Sequence, residues 1–142
     1  MKMGSCRTRN RGITLIELLV VMVIIAMFAT LVGQRLFRNV ERARQTTAKS
    51  QITELESTLD LFRLDVGRYP ANEEGLQALR VRPAGVENWD GPYLRKDLPP
   101  DPWGHSYVYR CPGQHGDFDL FSYGSDGQEG GEGEAADIVS WK

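Results

Sequence analysis

Two cysteines stand in 142 residues, Cys6 near the start and Cys111 in the body. That is too few for a disulfide framework, and the count neither requires nor excludes an oxidising compartment. Charge is nearly missing from Ile13 to Gly33, where Glu17 is the one ionisable side chain. Those residues would make about 31 Å of helix at roughly 1.5 Å per residue, enough to span a hydrocarbon core of about 30 Å. No clear small-x-small site closes the run, which is longer than the roughly 7–15 apolar residues of a secretory signal. It also continues into a charged, helix-patterned segment, so a simple cleaved signal peptide fits poorly. Lysine and arginine are absent from Gly113 to Trp141, although seven carboxylates lie there: Asp117, Asp119, Asp126, Glu129, Glu132, Glu134 and Asp137.

The leader KMGSCRTRNRG ends in Gly12, and the apolar run opens ITLIE. Glu17 falls four residues after Ile13, on the same face of a helix and near its positive end. Taken alone, such an acid either caps the helix, snorkels to an interface, or awaits a cationic partner in an apolar setting, where an unpaired charge is costly. The leader and run together resemble the class III signal of type IV pilin-like proteins. The resemblance implies that a prepilin peptidase cuts between Gly12 and Ile13 and methylates the new amine. It further implies that Glu17 pairs with the Ile13 amine of a neighbouring subunit during assembly. The family more often has phenylalanine at the position of Ile13, and many relatives carry a proline where this chain has Gly33 and Gln34.

Cleavage there removes four of the 17 basic residues, leaving 13 against 19 acidic ones and a net charge of −6. Such an acidic chain is unlike a nucleic-acid binder, and Cys111 is left without an internal partner. Basic residues flank the apolar run on both sides, so charge gives no orientation. The arginines beyond it suit lipid head groups or neighbouring subunits better than nucleic acid.

Past the run, Ile52, Leu55, Leu59, Phe62 and Val66 recur at steps of three or four and predict one long helix to about residue 66, its stripe packed on a globular head. Gly67 and Pro70 stop it. Asn72 is a candidate cap for a short helix carrying Leu76 and Leu79. Strands are expected at 106–110 and 117–123, separated by CPGQHG. The fold class is therefore α+β, a long N-terminal helix on a small antiparallel sheet. The expected organisation is a leader 1–12, an apolar helix 13–33, its amphipathic continuation 34–66, and a head 67–142.

Five glycines between Gly124 and Gly133 let the acidic loop turn sharply and aim carbonyls inward, which suits a hard cation such as calcium. The loop does not follow the EF-hand pattern, and an acidic solvated loop is the blander reading. The strings YP..EEGLQAL, DPWG.SY and PG..GDFDLFSYGSDG.EGG resemble the major pseudopilin of type II secretion systems. That resemblance implies a structural calcium in the loop 122–138. By position, Asp126 and Asp137 become its side-chain ligands, Tyr123 and Gln128 its best carbonyl donors, and Glu134 a weaker one. It implies a homopolymer built with minor pseudopilins and an inner-membrane assembly platform. Each subunit would be a single-pass inner-membrane protein with its head in the periplasm, assembled to export folded proteins. A type IV pilus or competence pseudopilin subunit would share the leader and helix, and a monomeric bitopic calcium-binding protein would share the loop. His105, Cys111 and His115 match no catalytic or zinc spacing, so no enzyme activity is expected.

Overall fold

A computed structural model describes residues 13–142, apart from the side chains of residues 31–37 and of Glu134. One helix, α1 (Leu15–Val66), runs through two compact units that divide after Arg38.

In the first unit α1 starts at a threonine cap. The Glu17 amide donates to Thr14 Oγ1 at 3.3 Å, which satisfies one of the open amides of the first turn. From there the helix is apolar all round: Ile13, Leu15, Ile16, Leu18, Val21, Ile24 and Phe28 are all exposed, Leu15 at 85%. Propensity and core packing cannot account for such a helix in water; it requires an apolar environment on every side. Among the described residues no helix is long and apolar enough to cross a membrane. The expected span 13–33 continues into residues whose side chains lie outside the description, and the leader with Gly12 lies outside it altogether.

The second unit, Asn39–Lys142, has its own core. Ala48, Ile52, Leu55, Leu59 and Phe62 line one face of α1 at 0–2% exposure, and Val66 packs at their edge. Gly67 ends the helix in the left-handed region (φ 84°), its amide donating to Arg63 O at 2.8 Å. Leu76 and Leu79 are buried against this face from a 3-10 turn, Gly75–Leu79. Asn72 does not cap that turn. Its Oδ1 instead accepts the Cys111 amide at 2.8 Å, while Glu74 ties the entry by accepting from Ala71 N (2.7 Å) and from both terminal nitrogens of Arg68. A charged, bidentate carboxylate outcompetes a neutral amide for that corner.

Three antiparallel strands follow: β1 (Val108–Arg110), β2 (Asp119–Ser122) and β3 (Ile138–Val139). The register pairs Tyr109 with Leu120 and Ser122 with Ile138. Central β2 is buried at all four positions. Both anticipated strands are shorter than their sequence patterns, and β3 was not anticipated, because two residues are too few to show alternation. Tyr107 anchors the sheet to α1 through its hydroxyl, which donates to Gln51 Oε1 at 2.5 Å.

Candidate functional site

The chain leaves β2 at Ser122 and returns at Ile138, so the sheet fixes both ends of the glycine-rich loop. A buried carboxylate, Asp101, sets the take-off. Its Oδ1 accepts the amides of Trp103 (3.1 Å) and His105 (2.8 Å), and its Oδ2 accepts the Ser122 hydroxyl at 2.5 Å. Ser122 Oγ in turn accepts the Gly124 amide at 3.1 Å, and His105 Nδ1 meets Gly124 O at 3.2 Å. Asp101 thus holds the DPWG turn and the loop entrance with one side chain.

Within the loop, Asp126 is exposed and its Oδ1 accepts the Gln128 amide at 3.1 Å, an Asx turn. Asp137 is half-buried. Its Oδ2 accepts the Gly130 amide at 2.9 Å, while its Oδ1 is shielded from solvent with no hydrogen-bond partner among the described residues. A shielded, unsatisfied carboxylate oxygen costs free energy unless a donor or cation meets it. Two glycines explain how the backbone folds so tightly here. A Cβ on Gly124 (φ 67°) would come within 2.8 Å of Ala136 O, and one on Gly131 (φ 88°) would fall on Ala135 O. Side-chain-free positions therefore let the carbonyls of residues 135 and 136 approach the turn. From α1, Gln45 Nε2 donates to Gly133 O at 2.8 Å and ties the loop to the helix.

Of the expected donors, Asp126 and Asp137 both bind amides of this one loop. Gln128 contributes an amide to Asp126, and Tyr123 leads into the loop with its ring edge-on to Phe121 at 5.2 Å. The Glu134 side chain lies outside the described residues. Among those described, no group of three or more Asp, Glu, His or Cys side chains gathers. Sequence reading missed Asp101, Ser122 and Gln45, and gave His105 no part in the loop. Asp101 carried a signal in its D-P-x-G turn; Gln45, 88 residues from Gly133, carried none.

The three residues considered for catalysis each serve a turn. Cys111 Sγ contacts Asp117 O at 3.6 Å, His115 lies on Asp119 (3.3 Å) and stacks flat on Trp141, and His105 supports Gly124.

An apolar helix with one early carboxylate, joined to a head of helix plus antiparallel sheet, defines the type IV pilin-like class. The N-terminal segment matches the prokaryotic N-terminal methylation motif over residues 7–33. Residues 35–141 match the family described as type II secretion system (T2SS), protein G. The chain belongs to that family. It is 44% identical over 136 residues to the type II secretion system core protein G of Vibrio cholerae, an alignment covering 94% of this chain and 92% of the relative. It is 42% identical to the core protein G of Pseudomonas aeruginosa, covering 95% and 97%. The crystal structure of the major pseudopilin from the type 2 secretion system of enterohaemorrhagic Escherichia coli superposes with a TM-score of 0.62 at 44% identity, covering 72% of this chain and 90% of that one.

Proposed function

We propose that the processed chain is a structural subunit that polymerises through the apolar half of α1 into the periplasmic pseudopilus of a type II secretion system, with no enzymatic role. In this reading prepilin peptidase removes residues 1–12, the subunit waits in the inner membrane with its head in the periplasm, and the assembly platform adds it to a filament begun with minor pseudopilins. The observation that carries the reading is a helix exposed and apolar on every side, with Glu17 as its sole charge up to Thr30. Stacked copies would supply the missing apolar surroundings and bring the new Ile13 amine to Glu17. Removing one partner of a buried ion pair costs about 3–5 kcal/mol. Glu17→Ala should therefore leave processed subunit in the membrane and cut filament yield by about a hundredfold or more. Filaments at parental abundance, counted by electron microscopy of sheared cells, would sink the reading.

Calcium is proposed as the resident ion of the loop, supported by the shielded Oδ1 of Asp137. Asp126 and Asp137 would hold it by their carboxylates, Tyr123 and Gln128 by their carbonyls, and Glu134 as a further donor. The ion would supply the positive charge that this stretch lacks. It would also offset the ordering entropy of a glycine-rich segment. For the full chain in detergent, calcium about a hundredfold above Kd should stabilise the second unit by about 2.7 kcal/mol. Asp137→Ala should abolish the increment. Identical melting curves with calcium and with chelator would refute it.

A further inference from the structure

In the second unit, the large apolar side chains left exposed among the described residues are Val40, Leu61, Leu64 and Val81, with Leu64 at 79% and Val81 at 66%. Leu61 and Leu64 are neighbours three residues apart on the face of α1 turned away from the core. Val81 lies on a different element, just beyond the 3-10 turn. There it lines an open groove of about 280 Å³ whose wall is half apolar (Val81, Ala78, Pro83 and Ala84) and half polar (Glu73, Glu74, Gln77 and Arg82). One surface is an apolar knob and the other a recess lined by both apolar and charged side chains.

Each surface carries one charge that lacks an opposite partner among the described residues. Asp65, one helical turn after Leu61, accepts only from the neutral Tyr93 hydroxyl (2.8 Å). Arg82 donates only to the carbonyls of Val86 (2.6 Å) and Glu87 (2.9 Å). Neither has an opposite charge as partner among the described residues, although most other arginines of this unit that bond to side chains meet carboxylates.

Resting on the filament reading above, we propose that Leu61 and Leu64 of one copy seat in the Val81 groove of the next, with Asp65 facing Arg82. The occupant is a second copy because the chain itself carries both halves. A knob and a recess on different elements form a heterologous contact. Such a contact passes from copy to copy without closing, as a filament requires, whereas one patch meeting itself would stop at a dimer. The paired charges fix which groove end meets which helix end.

The test uses the full chain in its secreting host, with Cys111→Ser to remove the native thiol. Leu64→Cys combined with Val81→Cys should give, on mild oxidation of assembled filaments, a ladder of covalent dimers, trimers and higher oligomers. Either single cysteine should give no ladder beyond dimer. Separately, Arg82→Glu should lower filament yield by about tenfold through like-charge contact with Asp65, and adding Asp65→Arg should restore it. Filaments of the double-cysteine chain that yield no ladder would overturn this contact while leaving the filament reading intact. Failure of the unsubstituted chain to form filaments in the same host would overturn both.

Discussion

Phe62→Ala should destabilise the second unit by about 3–5 kcal/mol, the largest loss expected from any single truncation in its core. Phe62 is fully buried and sits where three parts of the chain meet. Its ring is edge-on to Tyr93 at 5.7 Å, Tyr93 is edge-on to Trp89 at 5.7 Å, and Trp89 Nε1 donates to Ala78 O at 2.9 Å. Tyr93 also accepts the Asp90 amide and donates to Asp65, so this aromatic chain ties the long irregular segment after the 3-10 turn to α1, beside the backbone bonds from Tyr93 and Leu94 to Leu79 O. Emptying the site removes the transfer free energy of a phenyl group. It also leaves a cavity that a helix on one side and a tethered loop on the other cannot close. Against a typical total of about 5–15 kcal/mol, that loss would leave a marginal fold. Leu64→Ala is the control: it lies half a turn away on the same helix, is mostly exposed, and should change stability by no more than about 0.5 kcal/mol. All three tryptophans, Trp89, Trp103 and Trp141, belong to this unit, so fluorescence-monitored urea titration of the detergent-held chain reports on it directly. Equal midpoints for the two variants would mean that Phe62 does not carry the core.

Why the core was readable and the loop was not follows from range. The stripe Ile52, Leu55, Leu59 and Phe62 repeats with the helix period, and periodicity is a local property that burial then confirms. Gly67 and Pro70 likewise stop α1 by local backbone geometry. Asn72 misled because capping is a competition. Its amide had the right position, but Glu74, paired with Arg68, took the corner, and Cys111, 39 residues on, took the amide oxygen. β3 escaped notice because its two residues gain their strand geometry only from pairing with Phe121 and Ser122. In the loop, the acidic residues and glycines were visible as composition. The shielding of Asp137 Oδ1, the Asp101–Ser122 contact and the Gln45 tether are long-range products of the fold. The resemblance carried the aspartates to their positions; only the fold distinguishes exposed Asp126 from half-buried Asp137.

Acid should undo the turn between β1 and β2 through one carboxylate, Asp119. This residue is 2% exposed and accepts Gln114 N at 2.8 Å, His115 N at 3.1 Å and the His115 ring at 3.3 Å. The turn it organises is too tight for a side chain at Gly113, where a Cβ would come 2.7 Å from Asp119 Oδ1. Burial pushes the Asp119 carboxyl up, but the amides of Gln114 and His115 and then the His115 ring outweigh it and hold it below its ordinary value of 3.8. A carboxyl whose folded pKa is depressed adds stability above its unfolded pKa and loses it as pH falls through the folded one, so the window lies below 3.8. Asp119→Asn keeps the shape, removes the charge and weakens three acceptor contacts, which should cost about 1–3 kcal/mol at neutral pH. With His115→Gln in both proteins, which removes the titratable ring bonded to Asp119, the stability gap between parent and variant isolates this residue. It should hold steady from neutral pH to about pH 5 and narrow steadily towards about pH 2 as the parent's carboxyl takes up its proton. A gap that stays constant across that range would mean that the charge of Asp119 contributes nothing and that its hydrogen-bond geometry alone holds the turn.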